Sequence, residues 1–539
     1  MRKILEQLTK NDSNLITLDL SSNDIGNEGA TAIAQALTNN NTLTTLNLYY
    51  NHIDYKGATA IAQALIHNNT LTTLDLSSND IGHDGATAIA QALIHNNTLT
   101  TLDLSSNDIG HDGATAIAQA LRHNNTLTTL NLRSNNSGHE SATAIAQALM
   151  NNHSLTTFDL STNNISSAGA TAIAKVLTYN NTLTSLKLAG NYIEPDGATA
   201  IIEALTHNNT LTSLDLSYNK IGHTEGAIAI ARLLTYNNTL KILKLTLSKI
   251  GPEDATVIAL ALICNSTLTM LDLDDSDIGH KAATVIAQAL IHNNTLTTLN
   301  LSDSDIGHEA ATVIAQALIH NNTLTTLNLS GNGIGHKAAT VIAQALTHNN
   351  TLTTLNLSDN DIGHEAATAI VQALTHNNTL RSLDLNCNNI GLFEGAKAIT
   401  EAFPYNHTLT TFKLNYHSDY LEKKHILFLE RNIWIQKFPH HYLIQAYLCY
   451  YYISKDLSSE AQQYIQTTTI TTLPIEIWMH IFSFILMIEI KENFKETLTF
   501  KISNNHASQL FGKVQRFRLA VKKRSDADKT DKQMIPKPT

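Results

Sequence analysis

Charge is scarce in this chain. Asp, Glu, Lys and Arg make up 15% of its 539 residues, against about 25% in an ordinary soluble domain. Aromatic residues are 6% and prolines number seven. So few prolines exclude a proline-rich linker protein, and a 43% hydrophobic share excludes a chain that is disordered throughout. The three cysteines, Cys264, Cys387 and Cys449, lie far apart. Their spacing fits neither a disulfide framework nor a zinc site, which favours a reducing compartment. The opening MRKILEQLTKNDS lacks the apolar core of a signal peptide. No run reaches the roughly 18 apolar residues of a membrane span, and the richest stretch, Ile475 to Ile488, is broken by Glu476, His480 and Ser483. A cytoplasmic protein without membrane contact is expected. Walker A, nucleophile-elbow and zinc-ligand motifs are also missing, so no catalytic residue, metal or cofactor is expected.

What is present is one phrase copied many times. Residues 69–96 read NTLTTLDLSSNDIGHDGATAIAQALIHN, and residues 97–124 repeat them almost letter for letter. The first leucine of each copy falls at 15, 43, 71, 99, 127, 155, 183, 211, 240, 268, 296, 324, 352 and 380, with a truncated copy at Leu409. The spacing is 28 residues, and 29 twice, near Thr224 and near Phe393. A period in this range implies a solenoid. In each copy Leu74 and Leu76 alternate with polar residues, as in a strand, whereas Ala86, Ile89, Ala90 and Leu93 recur at helical spacing. Gly85 precedes the predicted helix. One copy leaves both flanks wet, so copies must stack, with strands parallel and helices packed outside.

Asn79 falls where the strand turns inward, and its amide suits buried backbone groups of adjacent turns, which cost about 1–3 kcal/mol when left unpaired. This position becomes Ser248, Ser276 and Ser304 in copies 9 to 11. Altered curvature or weaker coupling is expected there.

The pattern LxxLxLxxNxIG…GAxAIAxAL resembles the leucine-rich repeats of the ribonuclease-inhibitor type over residues 15–415. The resemblance implies an α/β fold, a right-handed horseshoe of about fourteen repeats with a parallel concave sheet and convex helices. Relatives of this type include ribonuclease inhibitor, Ran GTPase-activating proteins and the sensor ends of NOD-like receptors; their shared property is binding macromolecules. No nucleotide-binding domain precedes the repeats, so a complete NOD-like receptor is not expected.

The residue between the inward leucines is Asp or Asn in most copies, from Asp19 to Asp384, flanked by Thr and Ser. Such a face offers few of the Tyr, Trp and Arg residues that dominate interfaces. The exceptions cluster. Copy 2 carries Tyr49, Tyr50 and Tyr55. Copies 7 to 9 carry Lys187, Tyr192, Tyr218, Lys220, Lys244 and Lys249, and copy 10 follows with Asp272, Asp274, Asp275 and Asp277. A protein partner on the concave face, centred on copies 7 to 10, is the functional expectation; drift in redundant copies on a solvated sheet is the bland one. Histidines recur after the Ile-Gly pair, as at His83 and His111, and before Asn-Asn, as at His67 and His95. Without a recurring carboxylate or cysteine they are read as solvated loop residues. The Asn-Asn-Thr phrase, as at Asn68, is read as turn chemistry rather than glycosylation.

Residues 416–539 differ. They hold both tryptophans and 18 of the 30 aromatic residues. Ile426, Leu429 and Ile433 recur at helical spacing, and residues 416–472 are read as a helical cap on the last repeat. Residues 473–486, LPIEIWMHIFSFIL, place Ile477, Ile481 and Ile485 on one helical stripe behind Pro474 and Glu476. Leu473, Pro474, Glu476, Ile477, Ile481, Phe482 and Ile485 resemble the opening of an F-box. For the segment 473–511 that resemblance implies docking on a Skp-type adaptor of a cullin ubiquitin ligase. Residues 512–539 carry nine Lys/Arg and three Asp, +6 in a chain of net charge −11, and are read as a flexible basic tail. Nucleic acid is not the expected partner. The expected function is a non-enzymatic interaction module, a ubiquitin-ligase substrate adaptor of effector type. Near-identical copies suit recent expansion in an intracellular bacterium, whose effector would act in host cytoplasm. The alternatives are a scaffold or sensor with a capping C-terminus, and a Ran-type GTPase activator. Cys449 is followed by Tyr450 and Tyr451, which does not support a catalytic Cys-x-Asp ligase.

Overall fold

The computed structural model describes residues 2–390 and 405–414, together with Leu429, Asn432 and Ile433. The chain divides into two units, Met1–Leu421 and Glu422–Thr539. The cap expected over 416–472 lies outside the described residues apart from those three, each of which is helical. The F-box-like segment 473–511 and the tail 512–539 lie wholly outside them.

In the first unit each copy contributes one three-residue strand, from Thr17–Asp19 in copy 1 to Thr411–Lys413 in the truncated copy. The fifteen strands form one parallel sheet in strict sequence order. Equivalent residues lie side by side: Thr73 beside Thr101, Leu74 beside Leu102, Asp75 beside Asp103. After each described strand except those of copy 14 and the truncated copy comes a helix such as Gly82–His95 or Gly363–Leu374. The sheet is open, and the solenoid with a parallel sheet and outer helices that the repeat implied is the fold observed. The two 29-residue copies keep register across the sheet, with Ser213 beside Ile242 and Ser382 beside Thr411. In copy 8 the extra residue is taken up outside the sheet. His223 is fully extended there, and the helix starts at Thr224.

The core is the space between sheet and helices. Leu71, Leu74, Leu76, Ile81, Ile89 and Leu93 are all at most 1% exposed, and burial of apolar surface on this scale is the main driving force for stacking. Gly85 lies inside the first turn of its helix rather than before it, because the helix starts at Gly82. A Cβ on Gly85 would sit 2.6 Å from Ile81 Cγ2 and 3.0 Å from Ala58 Cβ. The small residue there sets how closely neighbouring helices approach, and Ala282, Ala310, Ala338 and Ala366 hold the same place in later copies.

Strands of three residues leave much backbone unpaired, and asparagine side chains take it up. Asn135 is representative. Its Nδ2 donates to the carbonyls of Leu104, Leu132 and Arg133 at 2.9, 3.0 and 3.2 Å. Its Oδ1 accepts from the N–H groups of Asn107 and Ile109 at 3.0 and 3.3 Å. Each amide thereby joins two copies, as expected for Asn79. A second ladder runs along the other end of the copies. Asn96 Nδ2 donates to Leu65 O and Asn68 O, at 2.8 and 3.1 Å, and its Oδ1 accepts from Thr98 and Leu99. This ladder begins at the helix Arg2–Thr9, where Asn40 Nδ2 donates to Leu8 O at 2.8 Å. It continues to Asn406. Asn68 is 3% exposed, so the phrase that mimics a glycosylation acceptor is turn chemistry. In copies 9 to 11 the first ladder is interrupted. Ser248 Oγ makes only contacts of 3.4 and 3.3 Å to Leu216 O and Thr246 O, and Ser276 Oγ has no hydrogen-bond partner. The second ladder is intact there, through Asn237, Asn265 and Asn293. It holds the register that the first no longer secures.

Two outcomes are expected. Asn135→Ala should cost about 3 kcal/mol, because several buried backbone groups lose their partners at once. Ser276→Asn should stabilise its neighbourhood by about 1 kcal/mol. A solenoid opens locally, so hydrogen exchange resolved by copy is the measurement. Equal protection across residues 183–360 in the wild-type chain would remove the case for weaker coupling in copies 9 to 11.

Candidate functional site

The concave sheet face has four outward rows, and most of it is self-satisfied. In the row before each strand, Thr72 Oγ1 donates to Thr44 O and Thr100 Oγ1 to Thr72 O, at 3.0 and 3.1 Å. The same bond recurs along the stack to Thr410, whose acceptor is Arg381 O. These threonines are structural. Lys241 and Arg381 stand in this row without contributing such a hydroxyl.

The row between the inward leucines pairs copy to copy. Asn131 Nδ2 donates to Asp103 Oδ2 at 2.7 Å, and Asn300 Nδ2 to Asp272 Oδ1 at 2.9 Å. Lys187 Nζ lies 3.2 Å from Asp159 Oδ2, and Lys413 Nζ 3.1 Å from Asp384 Oδ2. Through copies 6 to 10 this row reads Asp159, Lys187, Asp215, Lys244, Asp272 on successive strands. The charges alternate at the strand spacing of about 4.8 Å. The expected basic strip is therefore interleaved with carboxylates along this row.

Lys187, Tyr218, Lys244, Asp272 and Asp274 line one open basin of about 610 Å³, joined by Arg133, Asp159 and Asp215. Tyr192, Lys220, Lys249 and Asp275 are exposed but do not line it. Lys220 Nζ is bound to Glu194 Oε1 at 2.7 Å. The side-chain and charge contacts of Lys220 hold Glu194 below the usual carboxylate range. Tyr49 and Tyr50 form a separate feature. Their rings are 5.9 Å apart, with His52 5.6 Å from Tyr50, and five strand spacings, about 24 Å, lie between copy 2 and copy 7. Tyr55 begins a helix beneath the ammonium of Lys56.

Burial pushes Asp272 above the usual carboxylate range, with the charge of Asp274 adding to it and hydrogen bonds from Asp274 N and Asn300 opposing it. Asp303 is raised too, first by burial and then by Asp274, Asp275 and Asp359. Copies 10, 11 and 13 thus place on this face carboxylates that repel one another.

Reading the middle row alone missed the apolar side chains of this region. Ile242 and Met270 lie level on adjacent strands, where other copies have Thr or Ser. Leu247 is 39% exposed and holds φ +49°, the left-handed conformation that this turn position adopts in every copy from 1 to 14, as at Tyr50, Tyr218 and Asp275. The signal was the loss of Thr or Ser from the rows on either side. The histidines expected in loops sit in the first helical turn, as at His83 beside Asp84, or reach the next copy, as His111 does to Glu140. Among the described residues no group of three or more His, Cys, Asp or Glu is placed to hold a metal ion. None of the described helices is long and apolar enough to cross a membrane.

The fold and its repeating face define a leucine-rich-repeat solenoid. Residues 2–347, well over half of the chain, match the family described as the NLRC3 LRR domain. Residues 348–371 and 376–399 match the family described as Leucine Rich repeat. The chain belongs to the NLRC3-type leucine-rich-repeat family, whose repeats are protein–protein interaction modules. No curated protein is matched. Among solved structures the chain is similar to leiomodin-1 actin-binding site 2, at 25% identity and a TM-score of 0.27, covering 29% of this chain and 91% of that one. It is also similar to the tropomodulin C-terminal domain of Caenorhabditis elegans, at 14% identity and a TM-score of 0.27, covering 28% of this chain and 96% of that one.

The raised Asp272 gives a pH test. A carboxyl whose folded pKa exceeds its unfolded value stabilises the fold when protonated, and that contribution is lost as pH rises through the folded pKa. Asp272→Asn should therefore raise stability at neutral pH, and the difference should vanish below the ordinary value of 3.8. Urea unfolding across pH 3 to 8, in steps of about 0.5, reads it.

Proposed function

We propose that the concave face of copies 7 to 10 holds a protein partner, and that the chain couples this partner to a ubiquitin ligase. The observation that carries the first half is the clustering of departures. Against a background of Thr, Ser, Asp and Asn, charged, aromatic and aliphatic side chains gather around one basin. Aromatic and charged anchors of this kind carry most of the free energy of protein interfaces. The repeat is read as the ribonuclease-inhibitor type, supported by its 28- and 29-residue copies with a helix in each period from copy 1 to copy 13. The second half rests on residues: Leu473, Pro474, Ile477, Ile481 and Phe482 would meet a Skp-type adaptor. A chain of this design works without catalytic groups, as a substrate-recognition subunit, in the cytoplasm of a host cell if delivered there by a bacterium.

Two measurements test these halves separately. Purified full-length chain should retain a recombinant Skp-type adaptor on affinity resin. The double variant Leu473→Ala, Pro474→Ala should lose at least about tenfold of that binding, as hot-spot truncations do. Equal retention by both, or by neither, leaves the C-terminal segment as a cap. For the concave face, Lys220→Glu with Lys244→Glu should weaken any partner isolated on the wild-type chain by about tenfold or more. An unchanged affinity would remove the site from copies 7 to 10.

A further inference from the structure

The outward side chains of copy 9 alternate between cationic and apolar. From Lys241 the chain reads Lys-Ile-Leu-Lys-Leu-Thr-Leu-Ser-Lys to Lys249. Leu243, Leu245, Thr246 and Ser248 are buried, which leaves Lys241, Ile242, Lys244, Leu247 and Lys249 along the concave surface. The lysines of copies 7 and 8 are each tied to a carboxylate, Lys187 to Asp159 and Lys220 to Glu194. Lys241, Lys244 and Lys249 make no ion pair within 4.0 Å among the described residues. Lys249 adds to the field at Glu194 and Lys244 to that at Asp272, but neither bridges its carboxylate. Three ammonium groups are thus left available along one strand and its turn.

Met270 extends the apolar part sideways, level with Ile242. Leu247 is held outward in its left-handed conformation, in the turn where the first asparagine ladder is interrupted at Ser248. Beyond it copy 10 places Asp272, Asp274 and Asp275, which repel carboxylates and bound an anionic ligand on that side. An extended polypeptide presents same-side residues about 6.6 Å apart, the spacing of Ile242 and Lys244 in the strand beneath it.

Resting on the concave-face reading above, we infer that copy 9 is the docking line for an acidic, extended polypeptide segment. Its carboxylates meet Lys241, Lys244 and Lys249, and its apolar side chains rest on Ile242, Leu247 and Met270. Charge complementarity selects this occupant, and the copy 10 aspartates fix the side on which its negative charge ends.

The probe is a random dodecapeptide phage library panned on the full-length chain. Enriched peptides should be acidic, with an apolar residue near the carboxylates, and the strongest is then synthesised. Its affinity should fall by at least about tenfold in the triple variant Lys241→Glu, Lys244→Glu, Lys249→Glu, and the wild-type affinity should weaken with salt. Leu247→Gly, which relieves the positive φ, should weaken binding by about threefold or more through lost apolar contact. Lys187→Glu with Lys220→Glu should weaken it several-fold less than the copy 9 variant does, since both lysines already face a carboxylate. Circular dichroism and hydrogen exchange confirm that each variant is folded. Enrichment of basic peptides, absence of charge bias, absence of enrichment, or indifference to the copy 9 variant overturns the inference. If the Lys187 and Lys220 variant alone weakens binding, the concave-face site stands and copy 9 is not its line. If neither set matters, both readings fall.

Discussion

Each strand in this solenoid is only three residues long, so the turns around it would bury many unpaired amide and carbonyl groups. Asparagine is the side chain that can donate twice and accept twice from one planar group. One such residue at each end of the copy ties that copy to its neighbour. The spacing of the apolar residues follows from this. Leu74 and Leu76 can be buried at 0% exposure only because Asn79 and Asn96 satisfy the backbone that turns around them. Where serine replaces asparagine, the hydroxyl reaches the preceding copy only at 3.3–3.4 Å, from Ser304 and Ser248, or finds no partner, at Ser276, and the burden shifts to the second ladder. Neither ladder exists within a single copy, which is why the fold is a property of the stack.

The same division decided what could be read from sequence. The leucine columns, the strand and helix halves and the role of Asn79 were legible because repetition prints the leucines fourteen times and the asparagine eleven. The second ladder was only half visible: Asn68 and Thr70 read as a turn, but a bond to a carbonyl 31 residues earlier depends on stacking. The helix start was misplaced because Gly85 signals a break in an isolated sequence, whereas in the stack it is where the neighbouring helix passes closest. Pairing across strands was hidden for the same reason. The column order Lys187, Asp215, Lys244 could be read from the repeat, but not that Lys187 bridges Asp159 while Lys244 bridges neither neighbour. The F-box-like residues Leu473 to Phe482 fall outside the described residues, and their reading rests on pattern alone.

Copies 8 to 10 differ from the rest in three ways at once. Copy 9 carries aliphatic and cationic side chains on its surface, the inner ladder is serine in copies 9 and 10, and copy 8 has an additional residue before its helix. Repeats under uniform structural demand would not be expected to diverge together on inside and outside. The turn that carries Leu247 is also the turn that lost its asparagine. A local relaxation of the backbone rules and a change of surface chemistry therefore occupy the same few residues, as functional sites often do.

The register of the sheet has one more consequence. Every copy advances the concave face by one strand spacing, and the 28- and 29-residue copies advance it equally, because the extra residue never enters the sheet. The distance between the tyrosine pair of copy 2 and the lysines of copy 9 is therefore counted in whole copies. Duplication or loss of one copy between them would lengthen or shorten that distance by a fixed step and leave both sites chemically unchanged. The solenoid is in this sense a ruler with interchangeable divisions, on which the separation of two contact points can be reset by recombination alone.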